Sequence, residues 1–192
     1  MGKIIVEQIV SADGYAAEAD GGIGFFGSSR SLAEAENEQL RMMASVGAIV
    51  LGRNTYAMFA AYWPDADPRN ERIAGPINAL PKFVVSSTLA SAPWGDRGDI
   101  DILCGDGVAS LRALRKRIED DIIVWGSLTL TDALLRAGEV DILRLRVVPV
   151  LIGAGRSFAP HDLGQRGLTL ERAESFPGGH LVVAYSIPSR AF

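Results

Sequence analysis

"AIVLGRNTYAMF", residues 48–59, decides the fold. A fully apolar run ends at Gly52, and Arg53, Asn54 and Thr55 follow before the pattern turns helical. A short apolar run bounded by glycine reads as a strand buried on both faces. Residues 55–61 read as the helix it feeds. Gly52 lets the chain turn without a Cβ clash and frees backbone N–H groups. The helix start adds the positive end of its dipole. Arg53 adds a charge and a fork of donors suited to phosphate. Together they make a candidate site for a phosphate or pyrophosphate; the alternative is an ordinary strand–helix turn with a solvated arginine.

The alternation continues on both sides. Strands are expected at 3–10, 47–52, 82–87, 99–104 and 121–126, and helices at 31–45, 106–118 and 127–138. Ser31 with Glu34 forms the capping-box pattern for the first helix. Residues 15–17 allow a short extended piece, and 63–78, with three prolines, read as a long loop. A strand over 140–152 is interrupted by Pro149. "LTLERAESFPGGHLVVAYSIP", residues 168–188, reads as an antiparallel hairpin around Pro-Gly-Gly. Strand and helix in alternation imply parallel strands with crossover helices. The expected architecture is α/β: a mixed, mainly parallel central sheet with helices on both faces and a C-terminal antiparallel hairpin, one domain over residues 1–192.

In such sheets ligands bind beyond the carboxyl ends of the parallel strands. Three ends matter: Gly52, Ser86 and Gly126. Ser86, Ser87 and Thr88 offer hydroxyls suited to a ribose or phosphate, or form a plain turn. Gly126 allows close approach to the backbone, and Ser127 is either a helix cap or a ligand contact. Three donor-rich ends in succession suit an elongated, phosphate-bearing ligand such as a dinucleotide.

The chain of 192 residues is 48% hydrophobic and 22% charged, with a formal net charge of -4. That balance argues against general affinity for nucleic acid or an anionic membrane. A single cysteine, Cys104, excludes an intramolecular disulfide, and with His161 and His180 far apart no metal site is expected. No apolar run reaches the ~18 residues of a membrane span. The chain enters a strand at once, so no signal peptide is expected and a cytoplasmic location is the default.

The ordered set "SADGYAA", "LGRNTY", "ALPKFVVSSTL", "IIVWGSLTLTDALL" and "LRVVPVLIGAGRSF" resembles the dihydrofolate reductase-like superfamily. Within it, the chain is similar to the reductase domain of the riboflavin-biosynthesis deaminase-reductase. The resemblance implies that superfamily's three-layer α-β-α fold and NADPH as cofactor. It implies that Gly52, Arg53, Asn54 and Thr55 hold the phosphates. By the same resemblance Ser86 and Ser87 lie beside the adenosine ribose and 2′-phosphate, and Gly126, Ser127 and Leu128 under the pyrophosphate and nicotinamide; Thr88 joins the cofactor-binding set from its place at the same strand end. Asp13 and Gly14 face the substrate, and Gly153 lies in the loop closing its pocket. The deaminase's zinc signature is absent, since it needs more than one cysteine. The family's Asp-Gly-Lys is Asp13-Gly14-Tyr15 here, which removes a cation that a phosphorylated ribose would use.

The implied activity is NADPH-dependent hydride transfer to a C=N or C=O carbon of a small heterocycle of pterin, pyrimidine or flavin type. Asp13 is a candidate for substrate orientation, or a turn residue before Gly14. Glu34, Glu36 and Glu38 lie on the first helix, where at most one can face the pocket; Glu36, by its distance before Gly52, is the candidate carboxylate for proton delivery, or a solvated charge. Tyr56, Phe59 and Trp63 are candidate walls of an aromatic slot. The glycine-rich segment 18–29, with Phe25 and Phe26, is a candidate lid. The rival reading is a nucleotide-binding protein of the same fold without turnover. A homodimer is expected from the sheet edge and apolar surface of the C-terminal hairpin.

Overall fold

The computed structural model describes residues 2–27 and 35–188. Its main sheet has eight strands: β1 (Ile4–Ser11), β3 (Val46–Gly52), β4 (Lys82–Val85), β5 (Asp101–Leu103), β6 (Asp121–Trp125), β7 (Ile142–Val148), β9 (Thr169–Ser175) and β10 (Leu181–Ser186). Their order is β5-β4-β3-β6-β1-β7-β10-β9. The pairs from β5 to β7 are parallel, and β10 runs antiparallel to both β7 and β9. Two short strands, β2 (Tyr15–Ala17) and β8 (Arg156–Ser157), form a separate antiparallel pair.

The helices are α1 (Gly24–Gly27), α2 (Glu36–Met43), α3 (Arg53–Ala60), α4 (Ala74–Ala79), α5 (Gly107–Arg115) and α6 (Leu128–Ala137). Leu111 and Leu114 of α5 and Leu130, Leu134 and Leu135 of α6 pack with Ile4, Val6, Ala48, Val50, Ile122 and Val124 on one face of the sheet. On the other face Ile5, Ile49, Leu51, Ile123 and Trp125 meet Met43 of α2, Tyr56 of α3 and Ile77 of α4. Residues 48–51 are wholly buried because β3 is covered on both sides, which is why its sequence is uniformly apolar rather than alternating. This is a three-layer α-β-α arrangement.

Several local features differ from expectation. The helix after β3 begins at Arg53, with Gly52 extended (φ -81°, ψ 164°) as its cap. Residues 63–78 are not one loop. A 3₁₀ turn at Trp63–Asp65 leads to α4, and Asn78 ties the two by donating to the Trp63 carbonyl at 2.8 Å. Lys82 ends α4 by donating to the carbonyls of Ile77, Asn78 and Leu80. Burial, with nearby Arg97, pushes its amine down to about 8. The first long helix spans only Glu36–Met43 among the described residues; Ser31 and Glu34 lie outside them. The strand beginning near residue 140 stops at Val148, before Pro149, which has no N–H for a ladder.

Candidate active site

The carboxyl ends of β4, β3 and β6 lie side by side, and β1 runs on past them. Gly52 is opposite Val85, Leu51 opposite Trp125, and Trp125 opposite Glu7. Ser86, Gly52 and Gly126 therefore share one edge of the sheet. The strand ends are also bonded to each other. The Gly52 N–H donates to Ser127 Oγ at 2.6 Å, and the Ser127 N–H donates to Thr55 Oγ1 at 2.9 Å. Gly126 and Ser127 are both left-handed (φ 55° and 58°). A Cβ on Gly126 would stand 3.1 Å from Thr55 Oγ1, and one on Gly52 3.1 Å from Ser127 Oγ. The Gly126 N–H goes to the Glu7 carbonyl at 3.1 Å. Its own carbonyl accepts from Gln8 Nε2 and from Thr131 Oγ1.

This interlock changes the roles of several expected contacts. Thr55 is buried and shapes the turn instead of facing outward. The Gly52 and Ser127 amides are spent within the chain. What stays open is the first turn of each helix: neither α3 nor α6 has a side-chain cap bond at its start. The amides of Arg53 and Asn54, and of Leu128 and Thr129, come before any intrahelical partner is available. Two helix starts, of eight- and ten-residue helices, thus meet across the Gly52–Ser127 contact.

The third strand end divides in two. Ser86 is buried, and its hydroxyl accepts the Thr88 and Leu89 N–H groups at 3.2 Å each, a local turn. Ser87 and Thr88 are exposed, and Arg53 NH1 reaches Thr88 Oγ1 at 3.3 Å. Exposed Arg53 and Asn54 therefore flank the same rim as Ser87 and Thr88.

The expected substrate-side residues also sort themselves. Tyr56 is a core residue whose hydroxyl donates to the Pro93 carbonyl at 2.8 Å; burial, then the Asp99 charge, push its phenol up. Phe59 and Trp63 are partly exposed, with ring centres 5.9 Å apart, and Phe59 lies 5.6 Å from Trp125. Glu36 accepts the Ile73 N–H at 3.2 Å, so the first-helix carboxylate chosen from sequence braces the approach to α4. Asp13 is exposed and accepts from Gly153 N at 2.8 Å and Ile152 N at 3.3 Å. The Ser11 hydroxyl first, then the Gly153 N–H, hold its carboxyl below the ordinary value. Asp13 thereby fastens the loop after β7 to the turn after β1, and Gly14 (φ 88°) completes that turn. Phe25 of α1 is buried and Phe26 partly so.

A polar cluster under α2 went unread in the sequence. Glu7 and Gln8 are neighbours on β1 and point to opposite faces. Gln8 turns toward α6. Glu7 turns toward α2, where it accepts from Trp125 Nε1 at 2.9 Å, from Gln39 Nε2 at 3.1 Å and from Arg144 Nε. Arg144 also grips both oxygens of Glu38. Arg146 donates to Gln39 Oε1. Glu7, Glu38, Gln39, Arg144 and Arg146 are all buried. Burial alone would raise the Glu7 carboxyl, but the Arg144 and Arg146 charges and the hydrogen bonds hold it below its ordinary value. The available signal was "DILRLRVV", two arginines at alternate positions of an apolar strand.

The model of the RibD C-terminal domain matches residues 2–183. The chain belongs to that family. An uncharacterized protein of Bacillus subtilis, YyaP, is 23% identical to this RibD C-terminal domain over 190 residues, covering 95% of this chain and 94% of that one. Among solved structures, a candidate riboflavin biosynthesis protein of Shewanella sp. PV-4 superposes with a TM-score of 0.76 at 21% identity, covering 97% of this chain and 99% of that one. Dihydrofolate reductase from Enterococcus faecalis, complexed with NADP(H), superposes with a TM-score of 0.60 at 13% identity over 97% and 96% of the two chains. At these identities the likenesses establish a reductase-type fold. Among the described residues of this RibD C-terminal domain, no helix is long and apolar enough to cross a membrane. No group of three or more His, Cys, Asp or Glu side chains gathers there to hold a metal ion.

Proposed function

We propose that this chain is an NADPH-dependent reductase acting on a C=N or C=O bond of a small heterocycle of pterin, pyrimidine or flavin type. The observation that carries the reading is the meeting of two uncapped helix starts, α3 and α6, across the Gly52–Ser127 contact. Amides and dipoles converging at one rim suit a pyrophosphate. Arg53, with exposed Ser87 and Thr88 beside it, suits a 2′-phosphate and its ribose. Family membership adds weight.

NADPH supplies the hydride when bound. The chain's own part is placement. Arg53 and Asn54 hold one phosphate, and Leu128 and Thr129 amides the other. The left-handed turn at Gly126, packed against Thr55, sets the course of the backbone on the nicotinamide side. Trp125, Phe59 and Trp63 wall the neighbouring space for a flat ring. Asp13 holds the loop at Gly153 to the turn after β1.

A second reading, a nucleotide-binding protein without turnover, draws on the carboxylates: Asp13, Glu36, Glu7 and Glu38 are all engaged by donors within the chain. Titration with NADPH and NADH, followed by assays of nicotinamide oxidation with pterins, flavins and pyrimidines, separates the two. NADPH binding with oxidation supports the reductase. Binding without oxidation by any of them supports the second reading, and no binding refutes both. We further propose a homodimer through the β9–β10 face, where Leu168, Leu170 and Leu181 are exposed; light scattering of the purified protein tests it.

A further inference from the structure

The guanidinium of Arg156 crosses from β8 to the first turns of α6. Its NH2 donates to Asp132 Oδ2 at 3.1 Å, and its NH1 lies 3.5 Å from Thr129 Oγ1, the long limit of a hydrogen bond. A guanidinium carries five N–H donors. With the side chain 47% exposed, the rest of the fork is open to solvent. Asp132 therefore grips one corner of the fork, and its own second oxygen, Oδ1, is buried without a hydrogen-bond partner.

Thr129, Asp132 and Arg136 share one face of α6, and residues 156–162 lie along it. A cavity of about 230 Å³ separates the two, lined by Asp132, Arg136, Arg156 and His161 among others. Deeper along this face, Arg136 is closed by both oxygens of Asp162. Arg156 instead stands beside Thr129, in the uncapped first turn. Asp132 lies three residues further along the helix, about 4.5 Å deeper at 1.5 Å per residue. The pair thus turns its positive end toward the start of α6. The backbone under Arg156 is held firmly: it pairs with Ala17 of β2, and a Cβ on neighbouring Gly155 would stand 2.2 Å from the Ala17 carbonyl oxygen.

We infer that Arg156 is a second cationic contact for the nucleotide, gripping its pyrophosphate on the α6 side. Arg53 plays the matching part for the 2′-phosphate on the α3 side. The inference rests on the reductase reading for calling the bound anion a nucleotide. A phosphate oxygen takes NH1 in place of the long Thr129 contact, and the planar fork suits it. NH2 stays on Asp132, which sets the direction of the fork.

Calorimetry of the full chain with NADPH, NADH and inorganic pyrophosphate tests it. Arg156→Gln should weaken all three by a similar factor, about 10-fold. Arg156→Lys, keeping the charge without the fork, should lose less. Asp132→Asn breaks the same pair but keeps the cation, and should cost less than about 3-fold. Unchanged binding in Arg156→Gln, or a loss confined to NADPH, would overturn the inference. So would an equal loss in Asp132→Asn, since the pair would then only brace β8 against α6. Should the variants fail to fold, a crystal structure of the unaltered protein with NADPH decides. The Arg156 guanidinium within hydrogen-bonding reach of a pyrophosphate oxygen supports the assignment, and a guanidinium left on Asp132 and Thr129 alone refutes it. The two readings fail separately. NADPH binding that Arg156→Gln leaves intact removes this contact and spares the reductase. Arg156-dependent pyrophosphate binding without NADPH binding removes the reductase and spares the anion contact.

Discussion

The Gly52 amide donates to the Ser127 hydroxyl at 2.6 Å, joining the ends of two adjacent parallel strands. Ser127 in turn donates to the Trp125 carbonyl at 2.8 Å and gives its N–H to Thr55. The starts of α3 and α6 are therefore held in fixed relation by groups that face inward, and their outward amides stay available. The proposed phosphate site would thus be held in place before any ligand arrives, which spares part of the ordering cost of binding.

Replacing Gly52 by alanine tests that relation. The added Cβ would lie 3.1 Å from both Cβ and Oγ of Ser127, tighter than most such contacts, so Ser127 must give by a few tenths of an ångström and its bond to the Gly52 amide is disturbed. The expected result is a stability loss of about 1–3 kcal/mol by chemical denaturation, with weaker NADPH binding. Unchanged binding would show that the spacing of the two helix starts is irrelevant to the nucleotide.

Arg53 is exposed and reaches Thr88 across the β3 and β4 ends. Its replacement by alanine should weaken NADPH about 10-fold and NADH much less, as one charged hydrogen-bonding group is lost from a 2′-phosphate. Equal losses for the two nucleotides, measured by fluorescence titration, would contradict that role.

Glu7 makes stability depend on pH in a definite direction. Its carboxyl ionises at lower pH in the fold than the ordinary 4.5, so the unfolded chain binds the proton first as pH falls. Its stabilisation is complete above about 4.5 and drains away as pH drops through the folded value. Glu7→Gln should cost about 3–5 kcal/mol near neutral pH, because it leaves Arg144 short of a buried partner. The gap to the parent protein should narrow at acid pH in denaturation curves; a gap independent of pH would show that Glu7 is not held ionised by the arginines.

Asp13 is exposed, and its carboxylate holds the amides of Ile152 and Gly153. In Asp13→Asn, hydrogen exchange at those two amides should quicken while global stability changes by less than about 1 kcal/mol. Exchange left unaltered at both would mean that the loop after β7 is held by other contacts, such as the close approach of Gly155 to the Ala17 carbonyl.

The frame of the fold was legible because β3, β6 and the helices after them carry strong local signals. Uniform apolarity marks a doubly covered strand, and Asp106 caps α5 by accepting from Ala109 N at 2.7 Å. α4 was not legible: Gly75 and Pro76 lie within it, and what holds it is Lys82 and Asn78, contacts that no local pattern encodes. β8 is two residues long, too short for any periodicity. In the candidate site, the strand-end positions were readable from their glycines and hydroxyls. Which hydroxyls are consumed internally was not, since Ser86, Thr55 and Ser127 differ from Ser87 and Thr88 only in their surroundings. Arg144 and Arg146 break the apolar pattern of β7, and their meaning emerges only once α2 is seen to bring Glu38 and Gln39 over them.

A crystal structure of this chain grown with NADPH tests the central claim most directly. The account predicts pyrophosphate oxygens within hydrogen-bonding distance of backbone amides at Arg53 or Asn54 and at Leu128 or Thr129, with the 2′-phosphate beside Arg53. A nucleotide lodged anywhere else on the molecule, or no nucleotide bound at saturating concentration, would contradict it.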